Sequence, residues 1–224
     1  MENNIIDGVV VVNKPTGMNS MTCVKKVQRK LGAAKAGHLG TLDPFATGVL
    51  LVALGKGTKL FDAHLKDKKT YKAIFKFGIE TDTFDSEGLI AKQDDKVVCL
   101  DELKEVCQKL VGTQNQMPPA YSAKKIGGKK AYEFARQNIE VVLKPKEITI
   151  FSLDVLQQFD KNTFLLETEV SSGTYIRSIV RDLAALLGTC GTMVGLIRTV
   201  CGQHKLEESV TLDELTLENV KSLN

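Results

Sequence analysis

The 224 residues include no tryptophan and only three histidines, and no apolar run is long. A stretch such as Val49 to Leu54 falls far short of the ~20 residues needed to cross a bilayer. Met1 to Asp7 is short, polar and acidic, so no secretory signal is expected and a cytoplasmic protein is. The histidines His38, His64 and His204 are dispersed, which leaves no readable metal cluster. The five cysteines (Cys23, Cys99, Cys107, Cys190, Cys201) are odd in number and scattered without a C-x-x-C pair. That argues against a disulfide framework or zinc ribbon and fits reduced thiols. Gly55-Lys56 lacks the glycine five residues earlier that a P-loop needs, since Leu50 stands there. Asp82 to Gly88 invites a calcium loop, but the aspartate spacing is wrong and the twelfth position is Gln93 rather than glutamate. Neither metal nor nucleotide cofactor is expected. Repeats and low-complexity segments are also absent.

What remains is ordinary globular composition, 43% apolar and 25% charged, in a length that suits one large domain or two small ones. Net charge is only +3, yet its distribution is uneven. Lys14 to Lys35 holds six basic residues and no acid; Lys56 to Lys76 holds seven lysines against Asp62 and Asp67. Lys124 to Lys146 again holds seven basic residues, against Glu133 and Glu140, whereas Glu207 to Asn224 carries five acids and one lysine. Any one basic segment reads as a solvated face, but three together suggest a polyanion-binding surface.

Along the chain, Gly8 to Val12 reads as a buried strand ending in the turn Asn13-Lys14-Pro15-Thr16-Gly17-Met18. Lys14 is there either a phosphate contact or a solvated turn residue. Asn19 or Ser20 caps a helix with Met21, Val24, Val27 and Leu31 inward and Gly32 as its stop. Gly37 to Gly48 reads as a rigid loop, because glycines precede Asp43 and Pro44 follows it. Thr70 to Gly78 alternates as a half-buried strand with Tyr71 on its apolar face. Asp101 caps a helix with Leu103, Val106, Cys107 and Leu110 inward and Gly112 as its stop. Residues 116–143 read as a basic, glycine-interrupted excursion with a short helix from Lys129 to Gln137. Ile148 to Leu156 and Thr163 to Val170 read as strands, followed by a helix through Leu183, Leu186 and Leu187 to Gly188. Spacing alone therefore yields α and β elements intermixed.

The stretch GHLGTLDPFATGVL, from Gly37 to Leu50, resembles the catalytic signature GHTGTLDPLATGVL of the TruB-type tRNA pseudouridine-55 synthases. Leu39 replaces the usual threonine and Phe45 the usual leucine. Further likenesses are K-P-x-G-M at Lys14, G-x-x-T-K ending at Lys59, K-x-Y at Tyr71, T-D-T-x-D-x-x-G containing Asp85, G-T-Y-I-R with Tyr175 and Arg177, and L-x-R-T beginning at Leu196. The resemblance spans roughly Gly8 to Leu215. It implies the pseudouridine synthase fold, a mixed α/β class with a largely antiparallel central sheet, flanking helices and a thumb insertion at about 116–143. The chain is then one catalytic domain over 1–224, without the C-terminal PUA-type domain that members usually carry.

The resemblance also implies a function: cofactor-free, metal-free isomerisation of uridine to pseudouridine in the tRNA T-stem-loop. Asp43 would be the catalytic carboxylate, as nucleophile on the sugar or base at C2′. Tyr71 would stack on the uracil and help with the C5 proton, and Arg177 would pair with Asp43. His38 would intrude where the base is flipped out, and Leu196 would line the uracil pocket, although a core role for Leu196 is equally open. Asp85 would position an arginine or the substrate. Lys14, Lys59, Tyr175 and the thumb's Lys124, Lys129 and Arg136 would contact RNA. Nothing in the sequence points to an oligomer, so a monomer is expected. The competing classes are an RNA-binding module without activity and a nucleotide-dependent enzyme, the latter lacking its motifs.

Overall fold

The computed structural model describes residues 6–60, 67–121, 143–222 and the short stretches 125–126, 129–130 and 139. The chain forms two compact units, Met1–Lys72 with Leu196–Asn224, and Ala73–Gly195.

In the first unit the apolar run becomes the central strand. Strand β3 (Thr47–Leu54) pairs antiparallel along its length with β1 (Gly8–Lys14). Its other edge is shared: β2 (Ala36–His38) pairs with Val52 to Leu54, and β12 (Gly191–Cys201) runs parallel beside Thr47 and Gly48. Pairing on both edges buries Val49 to Leu54 completely, which explains their unbroken apolar sequence. Gly48 is required at the crossing. Its φ is +100°, and a Cβ there would stand 2.3 Å from the Arg198 carbonyl oxygen.

Helix α1 (Ser20–Leu31) packs Cys23, Val24, Val27 and Leu31 inward. Asn19 caps it, accepting from the Thr22 N–H at 2.8 Å, and Gly32 closes it at φ +71°. Met21, expected on the apolar face, is instead 47% exposed, and Cys23 lies inward. The last residues zip back onto β1: Val9 exchanges hydrogen bonds with Lys221, and Val210 lies between Val11 and Asn13. Leu215 is buried by the same return.

The second unit carries the strand order β4 (Lys69–Phe77, entering from the first unit), β11 (Thr163–Val170), β10 (Lys146–Gln158), β7 (Gly112–Gln116). β10 is antiparallel to both of its neighbours, with two register shifts against β11. Helix α2 (Leu100–Leu110) lies against β10 and α3 (Ile176–Leu186). It buries Leu103, Val106, Cys107 and Leu110 as expected. Its N-cap is Cys99 rather than Asp101, and Val111 rather than Gly112 ends it. Asp101 sits in the first turn, where the helix dipole favours a carboxylate. In the following helix Leu183 and Leu187 are buried, but Leu186 is 53% exposed.

Small strands complete the unit, β5 (Ile79–Thr81) with β6 (Ile90–Gln93) and β8 (Lys125–Ile126) with β9 (Lys129–Lys130). Lys129 therefore begins a hairpin strand where a helix was expected. The rest of that expected helix, including Arg136, and Lys124 lie outside the described residues.

Candidate active site

The aspartate loop is held by its neighbours' backbones and by polar side chains reaching into it. The Leu39 N–H donates to the Leu51 carbonyl at 2.9 Å, so Leu39 is buried beside β3 with its side chain in the core that Val49 and Leu51 share. Ser20 clamps the next turn. Its hydroxyl donates to the Leu42 carbonyl at 2.9 Å and accepts from the Leu42 N–H at 2.8 Å.

Beyond the aspartate, the Thr16 hydroxyl donates to the Phe45 carbonyl at 2.9 Å. Lys14 donates to the carbonyls of Met18 at 2.6 Å, Pro15 at 2.8 Å and Pro44 at 3.1 Å. Its side chain has no solvent exposure, so Lys14 is neither a solvated turn residue nor an available phosphate contact. It satisfies its ammonium on loop carbonyls, as a buried cation must. Within this frame the Ala46 N–H donates to the Asp43 carbonyl at 3.2 Å, and Asp43 stays half-buried.

Tyr71 is buried on the apolar face of β4, as the alternation requires. Burial pushes its phenol up, the Arg198 guanidinium opposes that, and the Asp43 charge raises it further. Arg198 was not singled out from the sequence, although the L-x-R-T motif contains it. It is 1% exposed and links the loop to the tyrosine. Its Nε donates to the Val49 carbonyl at 2.7 Å, and Nη1 to the Thr41 carbonyl at 3.3 Å and the Tyr71 hydroxyl at 3.4 Å. Nη2 donates to the Gly40 carbonyl at 3.4 Å, and the guanidinium carbon lies 6.0 Å from the Tyr71 ring centre. Leu196, two residues earlier on β12, shares the face of Arg198 and is half-buried. His38 ends β2 opposite Val52 and is half-buried, while Lys59 is exposed in the 3₁₀ turn Gly55–Leu60.

The second unit holds a polar cluster around Arg177. The Arg177 guanidinium lies 3.3 Å from the Asp85 carboxylate, and both side chains are 6% exposed. Arg177 also donates to the carbonyls of Thr83 and Tyr121, each at 3.1 Å. Asp85 accepts from the Thr83 hydroxyl at 2.5 Å and the Glu87 N–H at 3.0 Å. Its position depends on Phe84, which holds φ +59° and passes its carbonyl to the Met193 N–H at 3.1 Å. Asp85 and Arg177 therefore form a buried ion pair, while Asp182 pairs with Arg181. Tyr175 precedes α3, where the Gln116 amide accepts from its N–H at 2.8 Å and donates to its carbonyl at 3.1 Å. Among the described residues no group of three His, Cys, Asp or Glu side chains is arranged to hold a metal, and no helix is long and apolar enough to cross a membrane.

This fold is shared. One chain from the crystal structure of a Cbf5–Nop10–Gar1 complex aligns over 97% of this chain and 55% of its own, with a TM-score of 0.75 and 30% identity. Another, from an H/ACA RNP bound to a substrate RNA containing 2′-deoxyuridine, gives 0.71 and 27% over 96% of this chain and 53% of that one. This chain thus spans about half the length of either. The fold class is that of the pseudouridine synthases.

The sequence narrows the class further. Residues 28–176 match the N-terminal domain of the TruB family pseudouridylate synthases. The tRNA pseudouridine synthase B of Alkaliphilus oremlandii is 39% identical over 219 residues, which are 97% of this chain and 73% of that protein. That of Aquifex aeolicus is 42% identical over 217 residues, 96% of this chain and 75% of its own length. The chain belongs to the TruB family.

Proposed function

We propose that this chain isomerises uridine to pseudouridine at position 55, in the T-loop of tRNA, with Asp43 as the catalytic carboxylate. The observation that carries the reading is the pinned aspartate loop, whose turn around Asp43 is fixed through Leu42, Pro44 and Phe45 by Ser20, Lys14 and Thr16. Such a carboxylate is preorganised rather than merely present. The reaction breaks the C1′–N1 bond, turns the retained uracil and rejoins it at C5. A carboxylate beside the ribose, a dry pocket and a group near C5 meet those needs.

Tyr71 is assigned to stack on the extruded base and to help with the C5 proton. Stacking returns about 1–3 kcal/mol, comparable with the few kcal/mol that flipping a base costs. His38 is assigned the place the base leaves, Leu196 the wall of the uracil pocket, and Arg177 a part in keeping the catalytic carboxylate ionised. Asp85 supports Arg177. Lys59, Tyr175 and the thumb residues Lys124, Lys129 and Arg136 are assigned to RNA, so 1–224 works as one catalytic domain with a thumb at about 116–143. A monomer in the cytoplasm suits this work.

The test is tritium release from C5-labelled uridine in an unmodified tRNA. Asp43→Asn is expected to lower kcat by roughly 100- to 10,000-fold while leaving the RNA dissociation constant within about twofold. Binding without release by the wild type would instead identify an RNA-binding module.

A further inference from the structure

We propose that Arg198 is a positioning residue for this reaction, because one guanidinium holds both the backbone of the aspartate loop and the Tyr71 hydroxyl. The inference rests on the proposed isomerisation and adds to it a residue with no role in that account.

A buried cation is costly unless its donors are met, and four of the five Arg198 donors are. None of the four acceptors is a carboxylate. Three are carbonyls of the loop and of its exit into β3, namely Gly40, Thr41 and Val49; the fourth is the Tyr71 oxygen. Three carbonyls at fixed spacing suit a planar fork and not an ammonium point charge. The backbone is built around this side chain as well, since Gly48 admits the Arg198 carbonyl where any Cβ would collide.

Support of a loop requires only the carbonyls. The contact with Tyr71 has a further consequence: its oxygen accepts, which turns the phenol's own proton away from Arg198, and a cation beside it favours the phenolate. Among the described residues, the charged and titratable groups that act on Tyr71 include Arg198 and Cys201 from β12 and Asp43 from the loop. Arg198 is the cation among them, and it opposes the upward push of burial. A shift of the guanidinium therefore displaces the tyrosine and the aspartate loop together, and a displacement of about 1 Å costs roughly 100-fold in rate.

Two variants of the whole chain test this, Arg198→Lys, which keeps the charge and loses the fork, and Arg198→Met, which loses both. For the folded fraction of each, kcat is expected to fall roughly 100-fold with the RNA dissociation constant unchanged. Ultraviolet titration of the phenol, with Tyr71→Phe subtracted to isolate Tyr71, is expected to move to higher pH in Arg198→Met and less in Arg198→Lys. Combined with Tyr71→Phe, Arg198→Lys is expected to add less than its separate effect. Wild-type kcat in folded Arg198→Lys, or an unmoved Tyr71 titration in Arg198→Met, overturns the inference and leaves the isomerisation standing. Absence of pseudouridine with the wild type overturns the isomerisation and the positioning role of Arg198 with it, and the titration still decides whether Arg198 governs Tyr71.

Discussion

Charged side chains that vanish into the protein separate framework from chemistry at the level of single residues. Arg177 and Asp85 face each other with 6% exposure each. Removing one partner from such a pair strands the other's charge, which costs about 3–5 kcal/mol. Asp85→Ala is accordingly expected to lower unfolding free energy by that amount, measured by urea denaturation with an unchanged m-value. A loss below about 1 kcal/mol would show the pair to be dispensable. Asp85 stood out only through the family motif that contains it; strand alternation put Tyr71 on the apolar face, and only the family motif gave it a role beyond the core. Lys14 and Arg198 were not legible as buried, since long cationic side chains ordinarily read as solvated, and only tertiary structure shows the carbonyls that let them be buried. Their sequence signal was limited to the motifs around them.

Elements were most legible where local chemistry decides. Asn19 followed by helical spacing and Gly32 sufficed for α1, and strict alternation sufficed for β4. Failures came where partners decide. Gly37 and His38 read as loop, yet the free edge of β3 makes a strand of them. Cys99 precedes α2 without a capping side chain, so the sequence favoured Asp101.

The start of β12 depends on a comparable local device. Asp94 accepts from the Thr189 hydroxyl at 2.8 Å and the Cys190 N–H at 2.9 Å. Hydrogen bonds, that from the Cys190 thiol foremost, hold its carboxyl at about 2, below the usual 3.8. A depressed carboxyl contributes stability above its unfolded value that is lost as pH falls through the folded one. The difference in stability between wild type and Asp94→Ala should therefore be constant from neutral pH to about 4 and close towards pH 2. Asp94 is exposed, so the difference should be no more than about 1 kcal/mol. A gap that persists below pH 2 would place its origin elsewhere.

For the molecule as a whole, net charge misleads and distribution informs. A balance of +3 conceals basic segments at 14–35, 56–76 and 124–146, with acids gathered near the end. The structure removes Lys14 from the polyanion-binding set and leaves Lys25, Lys26 and Arg29 exposed on α1. Binding through phosphates releases counterions, so affinity for a T-stem-loop is expected to fall roughly tenfold or more between about 50 and 200 mM salt. Salt-independent binding would contradict an electrostatic face.

The central claim is that Asp43 performs chemistry on uridine within tRNA. Its most direct test is pseudouridine formation in an unmodified tRNA T-stem-loop, comparing wild type with Asp43→Asn at matched RNA occupancy. Modification by the wild type, and modification slower by roughly 100-fold or more with the variant, is the expected result. Equal modification by both proteins, or RNA binding without modification by either, would contradict it.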